Sequence, residues 1–283
     1  MYIILWIQIF VHLLVVLRRG DKMSSMRKPA LSSLKGLDKF QAALMEDGLP
    51  EMIGWLRSKR KAKLLMDEVH KHIFETGTPT PPGKRTGRRN YHQLLMYHLA
   101  EIQTTLDTMR DVEFYMGRFP YSEAKVAKHR HLQFHAEAFV NELYILQLRL
   151  QSLLKFVERQ HRRDPRLDDI KVTCKVLDGF VVESMKKGVA IRGSHVHKWR
   201  LSDNQIDRLN GISLYTKMPN RKIREAFKAY YESEYRKIRK RWREWVASGT
   251  DQAQKLVDAY FEEVFKLICD DTGRLVYPSR LKF

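Results

Sequence analysis

Residues Ser122–Arg163, SEAKVAKHRHLQFHAEAFVNELYILQLRLQSLLKFVERQHRR, decide the fold class. Leu132, Phe139, Leu143, Leu146, Leu150, Leu153 and Val157 recur at steps of three, four and seven. That spacing lines one side of an α-helix with apolar groups and leaves the rest polar. Pro120 closes whatever precedes it, and Ser122 with Glu123 opens the run, the longest expected in the chain. Upstream, Tyr91–Phe119 carries the same period, so the two segments are expected to form an antiparallel helical hairpin. Downstream, Leu167, Ile170, Cys174, Leu177 and Val181 place another helix over Pro165–Lys187.

Two closing helices are expected at about Asn220–Ala247 and Thr250–Cys269, separated at Gly249. Near the start, one helix is expected from Ser33 to Gly48, and a second from Pro50 carrying Met52, Trp55, Leu56, Leu64, Leu65, Val69 and Ile73. No segment sustains the period of two that a strand would need. The expected fold is therefore all-α, a helical bundle of long antiparallel helices. Gly77–Asn90, GTPTPPGKRTGRRN, has three prolines, three glycines and four basic residues and reads as a linker. It separates an N-terminal helical pair, 33–76, from a main helical domain, 91–270, with an irregular tail over 271–283.

Charge bounds the function. The 283 residues hold 52 Lys+Arg against 33 Asp+Glu, a formal net charge of +19. Such an excess opposes its own compaction and favours a polyanionic partner, nucleic acid or an anionic membrane surface. The hydrophobic share of 43% is that of a folded globular chain rather than a disordered one. The two cysteines, Cys174 and Cys269, lack metal-like spacing and are expected as reduced core thiols of a cytoplasmic protein. Met1–Leu17 is nearly all apolar and is followed by Arg18 and Arg19. At about 1.5 Å per residue it would span about 25 Å, short of a bilayer core, and it lacks the charge order of a signal peptide. Residues 1–25 are read as an extension ahead of a start at Met23 or Met26, the alternative being a marginal anchor; a membrane partner depends on that alternative.

The chain has no phosphate-binding glycine loop, no paired CxxC, no HExxH and no GxSxG. Histidines and the basic surface remain. His131 and His135 are four apart, which suits a metal pair, but no carboxylate completes a familiar motif, and Lys125, Lys128 and Arg130 crowd them. They are expected on an ordinary exposed or half-buried helix face; His70 and His72 are weaker still, and no metal or cofactor is expected. The helix from Asn220 carries ten Lys+Arg against four Glu up to Trp245. Ile223, Phe227, Tyr231, Ile238 and Trp242 are expected as its buried stripe. Arg236, Lys237, Arg239, Lys240, Arg241 and Arg243 would then contact nucleic acid, with Tyr230, Tyr235 and Trp245 placed to stack on unpaired bases. Lys84, Arg85, Arg88 and Arg89 add a basic arm from the linker.

Ile191–His197, IRGSHVH, pairs Arg192 with His197. Five residues turn an ideal helix by about 140°, so the two converge more easily at a helix end or at a break, for which Gly188 and Gly193 are placed. An arginine can hold a phosphate and a histidine can move a proton near neutral pH, and the same residue types equally serve a structural turn.

This Arg-x4-His pattern on a helical chain resembles the signature of HEPN domains. The likeness covers about Tyr91–Ala247, and its specific part is about seven residues. The resemblance implies a HEPN-like helical core over 91–270 that forms homodimers and acts on RNA in the cytoplasm. It further implies a metal-independent endoribonuclease that leaves a 2′,3′-cyclic phosphate and a free 5′-hydroxyl. By that likeness Arg192 holds the scissile phosphate, His197 transfers the proton and His195 is an accessory in the catalytic set. A cognate antitoxin or other regulatory protein would be a further partner. Gly193 departs from the polar residue common after the arginine in active members, so the alternative is a non-catalytic module that binds RNA or a protein.

Overall fold

A computed structural model describes residues 34–57, 87–118, 126–197 and 203–278, without the side chains of 49–57, 88–90 and 192–197. Met1–Leu17, the second half of the expected N-terminal pair with His70 and His72, the linker up to Thr86, and Pro120–Lys125 lie outside the described residues. The fold is all-α. Its helices are α1 Gly36–Arg57, α2 Gly87–Gly117, α3 Lys128–Gln160, α4 Leu167–His197, α5 Asn204–Tyr215 and α6 Arg221–Ile268. Among the described residues there is no strand beyond one antiparallel bridge between Cys269 and Leu275. No helix among them is long and apolar enough to cross a membrane.

The described chain divides into two compact units interleaved along the sequence. Among the described residues, one draws on 34–57, 87–101, 153–174 and 257–278, the other on 102–118, 126–152, 175–197 and 203–256.

In the first unit, Tyr91 meets His161 and His98 meets Phe156, so α2 and α3 run antiparallel as the hairpin expectation requires. α1 lies against α6 through Phe40 and Phe261, whose ring centroids are 4.9 Å apart, and through a 2.8 Å Lys39–Glu262 ion pair. The contact is close because residue 36 is glycine: a Cβ there would sit 2.0 Å from the Asp258 carbonyl oxygen. Past α6 the chain turns back on itself. The Asp270 carboxylate accepts from the Thr272 and Arg274 amides, Gly273 takes the left-handed φ of 81° that the turn requires, and Leu275 is buried.

In the second unit, α3 is the central helix. Arg149 donates to Thr105 and Tyr115 lies on His135, so α2 is again antiparallel to it. Gln151 bonds Asp178 and Leu143 meets Gly188, which makes α4 antiparallel too. α6 runs parallel to α3, from Tyr231 beside His129 to Gly249 beside Phe139. Leu132, Phe139, Leu146 and Leu150, the stripe that fixed the fold class, are all buried. So are Leu177, Val181 and Met185 on α4.

Three expected helix ends are not ends. α1 continues through Gly48 and Pro50, where a stop and a restart were expected. Residue 48 is glycine because a Cβ would sit 2.6 Å from the His92 imidazole. α6 is one helix of 48 residues, the longest described, in place of two, because Gly249 is an approach site: a Cβ would lie 2.8 Å from Phe139 Cζ. α4 runs unbroken through Gly188 and Gly193 to His197, so the anticipated kink is absent. Residue 188 is again a close approach, 2.9 Å from Leu143 Cδ1 for an added Cβ. α3 starts at Lys128 rather than at Ser122.

Candidate nucleic-acid interface

The basic half of α6 is built by two N-terminal devices. Asn220 Oδ1 accepts from the Ile223 amide at 3.2 Å, capping the helix start. Tyr231 then ties in at the start of α3: its hydroxyl accepts from the His129 amide at 3.2 Å and lies 3.1 Å from His129 Nδ1. That amide belongs to the first turn of α3, where no carbonyl within the helix is available to it. Burial, then the charge of Arg130, lowers the His129 pKa, so the contact is between neutral groups.

In the part of α6 that belongs to the second unit, the buried apolar positions are Tyr231, Tyr235, Ile238, Val246 and Ala253. At 100° per residue they fall on one side of the helix. Arg239, Arg243, Arg236, Lys240, Lys237 and Arg241 occupy an arc of about 200° centred roughly opposite. All six predicted contact residues are therefore on the outward side; Arg239 is half-buried and the other five are exposed.

The expected apolar stripe needs two corrections. Ile223 is 44% exposed, since the buried side begins at Tyr231, with Phe227 between them half-buried. Tyr235, expected as a stacking aromatic, is 3% exposed and forms part of the core. Its ring stacks on Tyr231 and is covered by the Arg239 guanidinium at 5.4 Å. Tyr230 and Trp245 remain at the edge of the cationic arc, 40% and 39% exposed. Trp245 also packs edge-on against Phe139 at 5.2 Å, so its ring is held rather than free to swing.

The six cations differ in how far acidic groups occupy them. Lys237 pairs with Glu234 at 3.0 Å, Arg243 with Glu113 at 3.8 Å and Lys240 with Glu244 at 3.9 Å. Arg236 and Arg241 form no ion pair among the described residues. Exposed pairs of this kind contribute little and exchange readily for a stronger anion.

Sequence inspection missed the contribution of α5. Asp203 caps α5 through the Gln205 and Ile206 amides at 2.8 and 3.0 Å. That fixes Arg208, whose guanidinium bonds the Tyr230 hydroxyl and lies 3.9 Å from Glu234. Gln205, Arg208, Glu234, Lys237, Ile238 and Arg241 line a shallow depression of about 200 Å³. Three cations face one carboxylate there, which suits a single phosphate group. In the sequence only the short run Ile206–Leu209, IDRL, points to this helix.

Arg192, His195 and His197 lie in the last two turns of α4, and their side chains are outside what the structure describes. The backbone places Arg192 and His197 five positions apart at a helix C-terminus.

A second histidine cluster has the outward form of a relay. In the first unit the Tyr91 hydroxyl is 2.9 Å from His161 Nε2, and His161 Nδ1 is 3.2 Å from Asp164 Oδ2. Tyr91 and His161 are fully buried. Burial pushes the phenol pKa far up and lowers that of the imidazole. Burial alone would raise Asp164, yet hydrogen bonds from Arg166 and His161 hold it at about 2. Closed to solvent at Tyr91 and His161, this run of contacts ties α2 to the end of α3. Cys174 and Cys269 are buried thiols, as expected, with pKa values raised by burial to about 11 and about 12. Comparison with protein-family models, with curated proteins and with solved structures finds no match to this chain.

Proposed function

We propose that this protein binds RNA along the outward face of α6, with α5 supplying the seat for one phosphate. The observation that carries this is the segregation on α6: six cations on one arc, a packed apolar stripe opposite, and Arg208 brought to the same face from α5. A merely soluble basic helix would not need an arginine delivered from another element. Tyr230 and Trp245 at the margin offer ring faces to unpaired bases, which favours a single-stranded or looped RNA over a duplex. Titration of a labelled single-stranded RNA at increasing salt tests this. Binding should weaken steeply with salt, and affinity indifferent to salt would reject the reading.

The catalytic reading rests on the HEPN resemblance together with the position of Arg192 and His197 at the end of α4. In it Arg192 neutralises the scissile phosphate and His197 takes a proton from the 2′-hydroxyl or gives one to the leaving 5′-oxygen. Composite sites need a second chain, and α4 leaves Val172, Val176 and Phe180 exposed at four-residue spacing, an apolar strip that favours self-association. General acid–base catalysis contributes about 10²–10⁴-fold, so His197→Ala should lose most cleavage while keeping RNA affinity. Cleavage of a structured RNA in excess EDTA, with mapping of the 3′ ends, is the assay. Activity undiminished in His197→Ala, or abolished by EDTA, would remove the mechanism and leave the binding module.

A further inference from the structure

The pair His131 and His135 has a geometry that the RNA-binding reading does not use. The two residues sit one turn apart on α3, both half-buried, with Nε2 atoms 3.1 Å apart and ring centroids 4.4 Å apart. Tyr115 of α2 lies nearly flat on the His135 ring, 6.0 Å between centroids and 14° between planes, which holds that imidazole in place. Two imidazole nitrogens bound to one ion at about 2.0–2.1 Å and separated by 3.1 Å subtend about 98° at the ion. That lies between the right angle of a square-planar or octahedral site and the tetrahedral angle. The spacing already present is thus the spacing that two ligands of one ion need.

We propose that His131 and His135 form a two-histidine site for a divalent ion of the class that prefers imidazole, copper(II) binding tightest. In the apo pair one Nε2–H donates to the other Nε2, so one ring carries its proton on Nε2. Binding moves that proton to Nδ1, or releases it and takes one up there, leaving both Nε2 lone pairs on the ion. Of the two described basic neighbours on α3, Lys128 is held by Glu232 at 2.6 Å and Arg130 is exposed to solvent. Among the described residues no third histidine, cysteine or carboxylate joins the pair.

The test uses the full chain and copper(II) alone. Equilibrium dialysis and electron paramagnetic resonance are run on the parent, His131→Ala, His135→Ala and His135→Gln, each checked for parental helicity by circular dichroism. The parent should bind one more equivalent than every variant and show a spectrum with two equatorial nitrogens, a signature the variants lose. His135→Gln preserves side-chain volume and a hydrogen bond to His131, so its loss of copper reports ligation rather than packing. In the parent itself, substoichiometric copper(II) should broaden the amide resonances of residues 128–138 before those of any other segment. Equal copper uptake and identical spectra in parent and variants would overturn the proposal, as would first broadening elsewhere. RNA affinity is measured in parallel, and since α6 carries it, an unchanged value separates this site from the interface.

Discussion

Removing three charges from α6 should change the salt dependence of RNA binding by a calculable amount. Arg236 and Arg241 have no ion pair among the described residues, and Lys240 has only a loose 3.9 Å contact with Glu244, both ends being mostly exposed. None of the three supports the core, so Arg236→Gln, Lys240→Gln and Arg241→Gln together should leave the melting temperature near that of the parent. On a single strand each lost phosphate contact lowers the slope of log K against log salt by about 0.7, hence about 2.1 for three. At 0.1 M salt, one decade below 1 M, this amounts to about a hundredfold in affinity, or about 3 kcal/mol. The two proteins should converge as salt approaches 1 M. Fluorescence polarisation of a labelled single strand over a salt series measures both lines. A control triple, Lys171→Gln, Lys175→Gln and Lys186→Gln on exposed positions of α4, removes the same net charge. Parallel lines for parent and α6 variant, or an equal change in the α4 control, would show that net charge and not this face binds RNA.

Two glycines on different helices should respond to alanine with opposite signs. Gly179 has open space around its missing Cβ, so Gly179→Ala should gain about 0.5–1 kcal/mol in urea unfolding, whereas Gly249→Ala presses on the Phe139 ring and should lose up to about 2 kcal/mol net. The fold should also be acid-labile in a defined window. His98 is lowered from 6.5 to about 4 by burial and by Arg159, and burial lowers His161 and His129 as well. The unfolded chain protonates first, so stability is full above about pH 6.5 and falls as pH drops toward 4. Urea midpoints from pH 7.5 to 4.5 measure this, and His98→Gln should flatten the slope by up to about 1.4 kcal/mol per pH unit. A slope of the parent that does not change in His98→Gln would place the lability elsewhere.

The apolar period alone carried the fold class, because Leu132, Phe139, Leu146 and Leu150 write their burial into their spacing. The basic arc on α6 was equally legible, since charge and period share one helix. The helix ends were not. In sequence a glycine that stops a helix and one that lets another element approach are the same letter. Gly48 and Gly249 are the second kind, for the sake of His92 and Phe139, which are remote in sequence. Tyr235 illustrates the same limit from the other side. Tyr231 goes inward to the His129 amide and imidazole, as its place in the apolar stripe implied, and Tyr235, one turn on and expected outward, follows it and stacks on its ring. The tie of Tyr91 to His161 spans 70 residues and leaves no local trace.

An unbroken α6 also sets a rule for how this gene segment can change length. Within the second unit, Ile238, Val246 and Ala253 face the core, and the cations from Arg236 to Arg243 face outward on the same turns. With no loop to absorb an insertion, each added or deleted residue rotates everything beyond it by about 100°. A one- or two-residue change between Arg243 and Val246 would therefore turn Val246 and Ala253 off the core side and Gly249 away from Phe139 while leaving the arginines where they are. Three or four residues, which nearly complete a turn, would cost far less. Length variation in this helix should come in threes, fours and sevens, a periodicity imposed by rotation rather than by composition.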